Sequence, residues 1–221
     1  MPNDIDGAAA TAHLRAADPV MAAIIDRVGP FAMRPPAAGA FQALARSIMF
    51  QQISGSAATA IYARFLALFG GEPPADPSWD GPDHAFPSSA ALLALQEEQL
   101  RSAGLSRQKI AALRSLSEHF IAGALGDVPF ATLDDEAVIE RLVRVRGIGR
   151  WTAEMFLMFY LARPDILPVN DVGINRAIAR QYGVAMPLRP ADVLRVGAAW
   201  RPFATVACWY LWRTEDVLTI R

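Results

Sequence analysis

An aspartate in a proline-containing segment of the C-terminal third offers the clearest chemistry in the chain. The segment reads LPVNDVGINRAIARQYG, and Asn170 or Asp171 is placed to cap a helix that ends at Tyr182, with Gly183 behind it. The free N–H groups at a helix start favour the ionised form of a carboxylate, which can stabilise a nearby positive charge. Taken alone, a plain helix cap is the simpler interpretation of Asp171.

A second chemically informative stretch comes shortly before it and reads LVRVRGIGRWTAEM. Gly147 and Gly149 permit backbone angles that other residues resist, and they leave backbone N–H groups uncovered. Together with the start of the next helix, these groups form a positive cup suited to a phosphate, while Ile148 packs between the helices. The pattern predicts a hairpin that grips the DNA backbone without reading bases. A tight helix–helix connection is the alternative for a bare Gly-x-Gly. The residues assigned to DNA-backbone binding are Arg146, Gly147, Ile148, Gly149, Arg150 and Thr152.

Composition and charge restrict the class of protein. The chain has 221 residues and 53% hydrophobic content, which is typical of a globular protein. Cys208 is the sole cysteine, so an internal disulfide and a cysteine-based metal site are excluded. The net charge is −1, yet residues 141–221 carry +6 and residues 1–140 carry −7, which suits phosphate binding by the C-terminal third. No secretory signal or membrane-spanning run is present, so we expect a cytoplasmic protein without a membrane partner.

Helical periodicity dominates the sequence, and no alternating strand pattern appears, which predicts an all-α protein. A proline- and glycine-rich loop is predicted for residues 70–87, and the first 17 residues are predicted to form a flexible tail. The predicted helices are 18–29, 39–51, 55–69, 88–103, 106–124, 134–144, 150–161, 171–182, 190–199 and 203–214.

These motifs together resemble the helix-hairpin-helix DNA glycosylase superfamily. The string L-x-x-V-x-G-I-G-x-x-T-A, from Leu142 to Ala153, is similar to its hairpin, and Asp171 matches the aspartate that completes its signature. Within the superfamily, GIGRWTAEM, SIMFQQISGSAATAIYARFL (47–66) and WRPFATVACWYLWRTED (200–216) resemble the DNA-3-methyladenine glycosylase II branch, which removes alkylated purines. The resemblance extends over about residues 20–216.

The resemblance implies two helical subdomains with a DNA-binding, active-site cleft between them. We expect residues 18–50 with 163–221 to form one subdomain and residues 51–162 to form the other. The glycosylase domain as a whole then spans residues 18–221, behind a flexible tail at 1–17.

The resemblance also implies that Asp171 is the catalytic residue of a base excision repair enzyme. Strand-cutting relatives place a lysine nucleophile where this chain has Trp151, and an indole cannot form a Schiff base. We therefore expect a monofunctional glycosylase with no lyase activity. A single cysteine excludes the four-cysteine iron–sulfur segment of some relatives. No cofactor or metal is expected, and a monovalent cation at the hairpin backbone is left open.

Excision of a base requires a pocket for the flipped nucleotide and a side chain that fills the gap in the duplex. Trp151 and Trp212 match aromatic pocket positions of the branch, where indole faces attract a cationic alkylated purine. Met155 stands where some members have a pocket tyrosine, although a core role is more ordinary at that spacing. Gln52 matches the intercalating position and Ile53 is a neighbouring candidate, but Gln51 and Gln52 fit polar helix-end residues equally well.

The expected function is hydrolysis of the N-glycosidic bond of 3-methyladenine or 7-methylguanine in double-stranded DNA, leaving an abasic site. We expect a monomer that lies in the bacterial nucleoid. The source is expected to have a GC-rich genome, since Lys109 is the sole lysine among 21 basic residues. One alternative is a glycosylase for another lesion, such as oxidised guanine or a mismatched base. A second is a non-catalytic DNA-binding module that uses the hairpin as a clamp. Asp171 argues against the clamp, which has no use for a carboxylate near phosphates.

Overall fold

The computed structural model describes residues 5–36, 38–70, 86–126 and 128–215 of the chain. These residues form α-helices and turns and contain no β-strand, which confirms the all-α prediction. Most of the loop predicted at 70–87 lies outside the described residues. The helices are α1 (Gly7–Ala17), α2 (Pro19–Val28), α3 (Ala40–Phe50), α4 (Gly55–Ala67), α5 (Ser89–Ala94), α6 (Glu97–Ser102), α7 (Arg107–Ile121), α8 (Asp135–Leu142), α9 (Arg150–Met155), α10 (Val172–Tyr182), α11 (Pro190–Gly197) and α12 (Ala204–Arg213).

The chain divides into two units, which we call the terminal and the central unit. The terminal unit consists of Met1–Pro35 and Leu157–Ile220, and it contains α1, α2, α10, α11 and α12. The central unit is Pro36–Phe156 and contains α3 to α9. The sequence-based division placed residues 36–50 in the other subdomain. In the structure α3 packs on α4 and α7, so these residues share the core of the central unit.

The N-terminal segment differs from its prediction. Residues 7–17, expected to belong to a flexible tail, form helix α1, and the Asp6 side chain caps its first turn. Ala10 and Leu14 are completely buried, because α1 packs against α2 and α12. The two positions lie four residues apart on one helix face. Their burial depends on the adjacent α2 and also on α12, which lies far along the chain and which a local pattern does not reveal.

A buried aspartate ties the terminal unit together. One carboxylate oxygen of Asp18 accepts hydrogen bonds from the backbone N–H groups of Val20 and Met21, at 2.9 and 3.1 Å, and so caps α2. The other accepts from the Tyr182 hydroxyl at 2.6 Å and the Trp200 indole N–H at 2.9 Å. Burial and the neighbouring carboxylate raise the pKa of Tyr182, which keeps the hydroxyl protonated as a donor. The C-terminal end of α10 is thereby anchored to the start of α2.

Helix α12 holds the segment that leads into α10. All residues of α12 from Ala204 to Trp212 are buried, which places this helix at the centre of the terminal unit. The Thr205 hydroxyl donates to the carbonyl of Arg163 at 2.6 Å and accepts from the backbone N–H of Ile166 at 3.0 Å. These bonds fix the course of the chain shortly before the proline-containing segment and its aspartate.

The central unit is built around an aromatic cluster. The Phe41 ring of α3 lies edge-on to Phe120 of α7 and Phe86, with ring centroids 5.1 and 5.8 Å apart. Phe65 and Tyr62 of α4 pack against the same Phe86 ring. Such pairs add to the hydrophobic stabilisation of a core. The cluster holds α3 and α7 together, and these two helices support the hairpin.

The helix predicted at 88–103 is interrupted. The chain is extended at Leu95, and α5 and α6 form on either side of it. The Leu95 carbonyl accepts a hydrogen bond from the Arg114 guanidinium at 2.6 Å, and the Gln96 backbone N–H donates to the Gln99 side chain at 2.8 Å. The second bond starts a new helix, and the first requires α7, so the break depends on tertiary contacts. Within the described ranges, no helix combines the length and apolarity needed to cross a bilayer.

Candidate active site and nucleic-acid interface

The carboxylate predicted to be catalytic is held at the start of α10. Asp171 is the residue that caps this helix, and its Oδ1 atom accepts a hydrogen bond from the Ile174 backbone N–H at 2.7 Å. The Asp171 N–H in turn donates to the Pro168 carbonyl at 3.0 Å, which closes the turn before the helix. Only 6% of the residue is exposed. The sequence left the cap open between Asn170 and Asp171; the structure assigns it to Asp171 and buries the carboxylate.

A tryptophan from α12 fixes the same oxygen. The Trp212 indole N–H donates to Asp171 Oδ1 at 3.0 Å, and the two residues lie 41 positions apart in sequence. The Trp212 ring is nearly buried, with 4% exposed, and the Phe159 ring packs against it at a centroid distance of 5.6 Å. Hydrogen bonds to a charged acceptor are stronger than neutral ones. The position predicted for a pocket wall thus orients the carboxylate directly.

Gly173 makes room for this arrangement. A Cβ atom at position 173 would lie 3.0 Å from Trp212 Cδ1 and 3.2 Å from both Trp212 Nε1 and Asp171 Oδ1. Any larger side chain would therefore push the indole or the carboxylate out of place. The sequence prediction missed both Gly173 and Phe159. The Asp-x-Gly pattern at the helix start was the available signal for the glycine.

The Gly-Ile-Gly hairpin has the predicted form. Helix α8 ends at Leu142, α9 begins at Arg150, and Ile148 is buried between them with 4% exposed. Gly147 adopts a left-handed φ of 83°, and a Cβ atom there would meet Ala112 Cβ of α7 at 2.8 Å. Gly149 caps α9 without a side chain that could cover the N–H groups of the first turn. Backbone shape and close packing therefore require glycine at position 147, whereas Gly149 has an ordinary φ of −93° and space for a Cβ atom.

The two arginines beside the hairpin differ in their surroundings. Arg146 is exposed, and its backbone N–H donates to the Ser115 hydroxyl at 3.2 Å. The Arg150 guanidinium forms a bidentate ion pair with Glu136 of α8 and a 3.1 Å contact with Glu154. The hydrogen bond between Arg150 and Glu136 lowers the pKa of the Glu136 carboxyl and raises the pKa of the Arg150 guanidinium. Arg150, assigned to phosphate binding from the sequence, is thus partly neutralised by the protein itself.

The loop that follows α3, residues 51–54, contains the predicted wedge residues, and we call it the wedge loop. Gln52 is exposed and adopts a left-handed φ of 58°, which is uncommon for a residue with a side chain. Ile53 is 37% exposed. The preceding Gln51 donates from Nε2 to the Gly147 carbonyl and to the Thr152 hydroxyl, both at 3.2 Å. From the sequence, Gln51 was interpreted as a polar helix-end residue, and only the structure shows its bond to the hairpin.

The remaining predicted residues also lie in the central unit. Trp151 is 43% exposed, so a large part of an aromatic side chain faces solvent at the start of α9. Met155 and Thr152 are buried, with 8% and 5% exposed. Helix α9 does not continue regularly to residue 161, because residues Phe156–Tyr160 form a π-helical turn, a feature often found near functional sites.

The structure thus assembles two groups of predicted residues. In the terminal unit, Asp171 and Trp212 share a hydrogen bond. In the central unit, Gln51 joins the wedge loop to the hairpin. No group of three or more His, Cys, Asp or Glu side chains in the described part of the chain is arranged to hold a metal ion.

The all-helical fold, the Gly-Ile-Gly hairpin and the buried aspartate together define the class of protein to which the chain belongs. The chain belongs to the HhH-GPD superfamily of base excision DNA repair proteins, whose family model matches residues 45–193. The matched range includes the wedge loop, the hairpin and Asp171, whereas Trp212 lies beyond its end.

The individual relatives are DNA glycosylases. DNA-3-methyladenine glycosylase 1 of Schizosaccharomyces pombe is 34% identical over 180 residues, which cover 80% of this chain and 73% of the relative. The crystal structure of a DNA-3-methyladenine glycosidase from Bacillus halodurans is 35% identical with a TM-score of 0.77, over 94% of this chain and 89% of that one. A Schizosaccharomyces pombe 3-methyladenine DNA glycosylase in complex with abasic DNA is 29% identical with a TM-score of 0.77, over 96% and 98%. Relatives occur in yeast and bacteria, so a bacterial source stays a prediction.

Proposed function

We propose that this chain is a monofunctional DNA glycosylase that releases alkylated purines from double-stranded DNA and leaves an abasic site. Membership of the superfamily and the names of the relatives support the reaction class. The observation that carries the proposal is the Asp171 carboxylate, whose Oδ1 atom is held by the Ile174 N–H and the Trp212 indole N–H. A carboxylate in this position is oriented before substrate binds, which lowers the cost of reorganisation during reaction.

The proposed reaction is hydrolysis at the sugar carbon that carries the base. As the N-glycosidic bond breaks, its electron pair leaves with the base and positive charge develops on the deoxyribose. The Asp171 carboxylate stabilises that charge. A water oxygen then bonds to the sugar carbon, and Asp171 accepts the proton that the water loses. The products are a free base and an abasic nucleotide.

Alkylated purines suit such a site because they need little further activation. Alkylation at N3 or N7 makes the purine cationic, so it departs as a neutral base without a strong general acid. The exposed indole of Trp151 is proposed to stack on the flipped purine, since electron-rich rings attract cations. Trp212 and Met155 are nearly buried, which limits the face that each can offer to a base.

Duplex binding is assigned to the central unit. The hairpin glycines and the start of α9 are proposed to hold a backbone phosphate, while Gln52 or Ile53 fills the gap left by the flipped nucleotide. This assignment predicts that binding weakens as salt concentration rises, because phosphate contacts release counterions. Arg146 contributes to the phosphate contact more than Arg150, whose charge is shared with Glu136 and Glu154.

Lyase activity is not expected from this arrangement. Trp151 occupies the position at which strand-cutting members of the superfamily carry a lysine, and an indole forms no imine. The sole lysine, Lys109, donates a hydrogen bond from its ammonium group to the Met49 carbonyl at 2.6 Å. We therefore expect no covalent complex with abasic DNA after borohydride treatment and no enzymatic nick in the strand.

Replacement of the proposed catalytic carboxylate is the direct test. Asp171→Asn retains the size of the side chain and its ability to cap α10 but removes the charge. Base release from methylated DNA, measured by chromatography of the free bases, should fall by about 10²- to 10³-fold. Binding to abasic duplex should persist, because the hairpin is unchanged.

A matched control is available in the same unit. Asp6→Asn makes the identical change at the residue that caps α1, where the side chain bonds only to the first turn. This variant should release bases at the wild-type rate. If Asp171→Asn also did so, Asp171 would not be the catalytic group. If the wild-type chain bound duplex DNA but released no base, the non-catalytic clamp would replace the glycosylase.

A panel of duplexes with single lesions tests the substrate class separately. We expect release of 3-methyladenine and 7-methylguanine and much slower release of 8-oxoguanine, because only the first two are cationic. The opposite ranking would keep the glycosylase assignment and overturn the alkylpurine assignment.

A further inference from the structure

Gln51 connects two parts of the central unit that are distant in sequence. It follows the last residue of α3, and its backbone has already left the helical conformation with a ψ of 136°. Its side chain reaches across to the hairpin, where Nε2 lies 3.2 Å from both the Gly147 carbonyl oxygen and the Thr152 hydroxyl. The two bonds span 96 and 101 residues of sequence.

The chemistry of these bonds requires an amide. The Gly147 carbonyl can only accept a hydrogen bond, so the side-chain nitrogen of Gln51, and not its oxygen, must face it. An NH₂ group carries two hydrogens and can therefore serve both acceptors at once. Glutamate has the same shape but no donor when ionised, and methionine has a similar length without either group. Glutamine is thus the side chain that fits both partners at this length.

The residues after Gln51 form the loop proposed to enter the duplex. Gln52 has a left-handed φ of 58°, and strained conformations of this kind persist only where the surroundings hold them. On the far side of the loop, the Ser54 hydroxyl accepts from the Ala57 N–H at 3.4 Å and caps α4. The exposed residues Gln52 and Ile53 therefore lie between two anchored neighbours, one fixed to the hairpin and one to a helix.

Helix α7 gives the loop and the hairpin a common base. Lys109 of α7 donates to the Met49 carbonyl in the last turn of α3, at 2.6 Å. One turn further along the same helix, Ala112 lies against Gly147, where a Cβ atom would approach it to 2.8 Å. The end of α3 and the hairpin thus rest on adjacent turns of one helix, and the Gln51 amide closes the gap between them.

We propose that Gln51 is a positioning residue that couples the phosphate-binding hairpin to the wedge loop, so that duplex binding and insertion of the loop occur together. The ligand it serves is duplex DNA with a nucleotide out of the stack. The proposal rests on the proposed function for its biological meaning, but it concerns binding geometry and not bond cleavage. Gln51 touches the hairpin and is not a catalytic residue.

The test compares two duplexes of the same sequence, one undamaged and one with a tetrahydrofuran abasic analogue. The wild-type chain should prefer the abasic duplex, because only that duplex has a gap for the loop. In Gln51→Met the hairpin remains, so affinity for the undamaged duplex should stay within about twofold, whereas the preference for the abasic duplex should fall about tenfold. Fluorescence of 2-aminopurine next to the analogue should show correspondingly less unstacking.

Two further variants separate coupling from loss of folding. Gln42→Met removes a similar amide from α3, the helix that Gln51 follows; Gln42 Nε2 lies 3.5 Å from the Tyr62 hydroxyl, and the variant should leave both affinities unchanged. Thr152→Val removes one acceptor of Gln51, so its effect on the preference should disappear in the Gln51→Met background. If Gln51→Met unfolds, Gln51→Asn keeps the amide but is too short to reach, and it should give the same loss.

The outcomes that overturn the proposal are distinct from those that overturn the function. An unchanged preference in Gln51→Met, an equal loss of affinity for both duplexes, or additive effects with Thr152→Val would each reject coupling. A wild-type chain without any preference for the abasic duplex would reject it as well. Failure of base release with the preference intact would instead contradict the glycosylase and leave the Gln51 measurement decisive.

Discussion

Helices α9 and α10 begin in opposite ways. In the central unit, α9 starts at Gly149, which has no side chain to bond the N–H groups of its first turn. In the terminal unit, α10 is capped by Asp171, whose buried carboxylate accepts a hydrogen bond from an N–H group in the first turn of α10. Every helix start attracts negative charge, because its first N–H groups lack intrahelical partners. The same backbone feature therefore orients an internal carboxylate in the terminal unit, and in the central unit we propose that it contacts an external phosphate.

Glycine serves the two sites for different physical reasons. Gly147 is needed in the hairpin because its φ of 83° and its contact with Ala112 exclude a Cβ atom. Gly173 has no such backbone constraint, but a Cβ atom there would crowd the Trp212 indole and the carboxylate it holds. Damage to the first site should therefore weaken DNA binding, and damage to the second should slow the reaction.

Loss of the indole donor should have the largest of these effects. Trp212→Phe keeps an aromatic ring against Phe159 but removes the hydrogen bond to Asp171. A bond to a charged acceptor contributes about 1.5–3 kcal/mol, so single-turnover base release should slow by about thirtyfold. Affinity for abasic duplex should stay near the wild-type value.

Trp209→Phe is the matched control, since this buried indole lies three residues earlier in α12 and packs against Phe31 and Arg213. It should leave the rate of base release within about threefold of wild type. A Trp212→Phe variant that lost affinity but kept its rate would contradict the division of labour between the two units.

Crowding the hairpin should have an effect of intermediate size, and it should change DNA binding instead of the rate of base release. Gly147→Ala places a Cβ atom against Ala112 and imposes a left-handed φ on a residue with a side chain. We expect a stability loss of about 1–3 kcal/mol and roughly tenfold weaker binding to all duplexes, with the rate at saturating enzyme little changed. Thermal unfolding and fluorescence anisotropy measure the two effects.

Gly29→Ala separates the cost of the φ angle from damage to the hairpin. Gly29 has a φ of 93° at the end of α2, and no atom lies within 4 Å of the position a Cβ would take. It should lower stability without weakening DNA binding. Equal loss of affinity in both variants would attribute the Gly147 effect to stability alone.

Removal of the ion pair between Arg150 and Glu136 should have the smallest effect on DNA binding. Glu136→Gln removes its bidentate partner, so the hairpin becomes more positive and duplex affinity should rise about two- to threefold at low salt, less at high salt. Glu140→Gln changes the same charge one turn further along α8 and should raise affinity less. A fall in affinity would mean that the ion pair shapes the hairpin instead of competing with phosphate.

The same ion pair has a defined pH dependence. Arg150 lowers the pKa of Glu136 in the folded chain, so the contribution of the pair to stability is present above the unfolded pKa, about 4.3. It is lost as pH falls through the lower folded pKa. Because the pair is exposed, the contribution is at most about 1 kcal/mol, and Glu136→Gln should reduce the acid sensitivity of unfolding only slightly.

Local sequence patterns were sufficient to predict the structure where neighbouring residues determine it. The cap at Asp171 and the turn at Gly147 both follow from residue type and the few residues around them. The same patterns failed for α1, whose alanine-rich face needs the distant α12 as well as the neighbouring α2 for its burial, and for Leu95, whose extended backbone is bonded to Arg114 of α7. In both cases the deciding partner is remote in sequence.

What the amino-acid sequence determined by itself was the class of fold, the hairpin, the helix cap and the absence of a lysine beside the hairpin. These depend on backbone preferences, side-chain chemistry and the spacing of apolar residues, all of which act over short stretches of chain. Tertiary structure alone decided that Trp212 bonds Asp171, that Glu136 holds Arg150 and that Gln51 bonds the hairpin. A hydrogen bond or ion pair is a matter of a few ångströms, and only folding brings side chains from distant segments within that range.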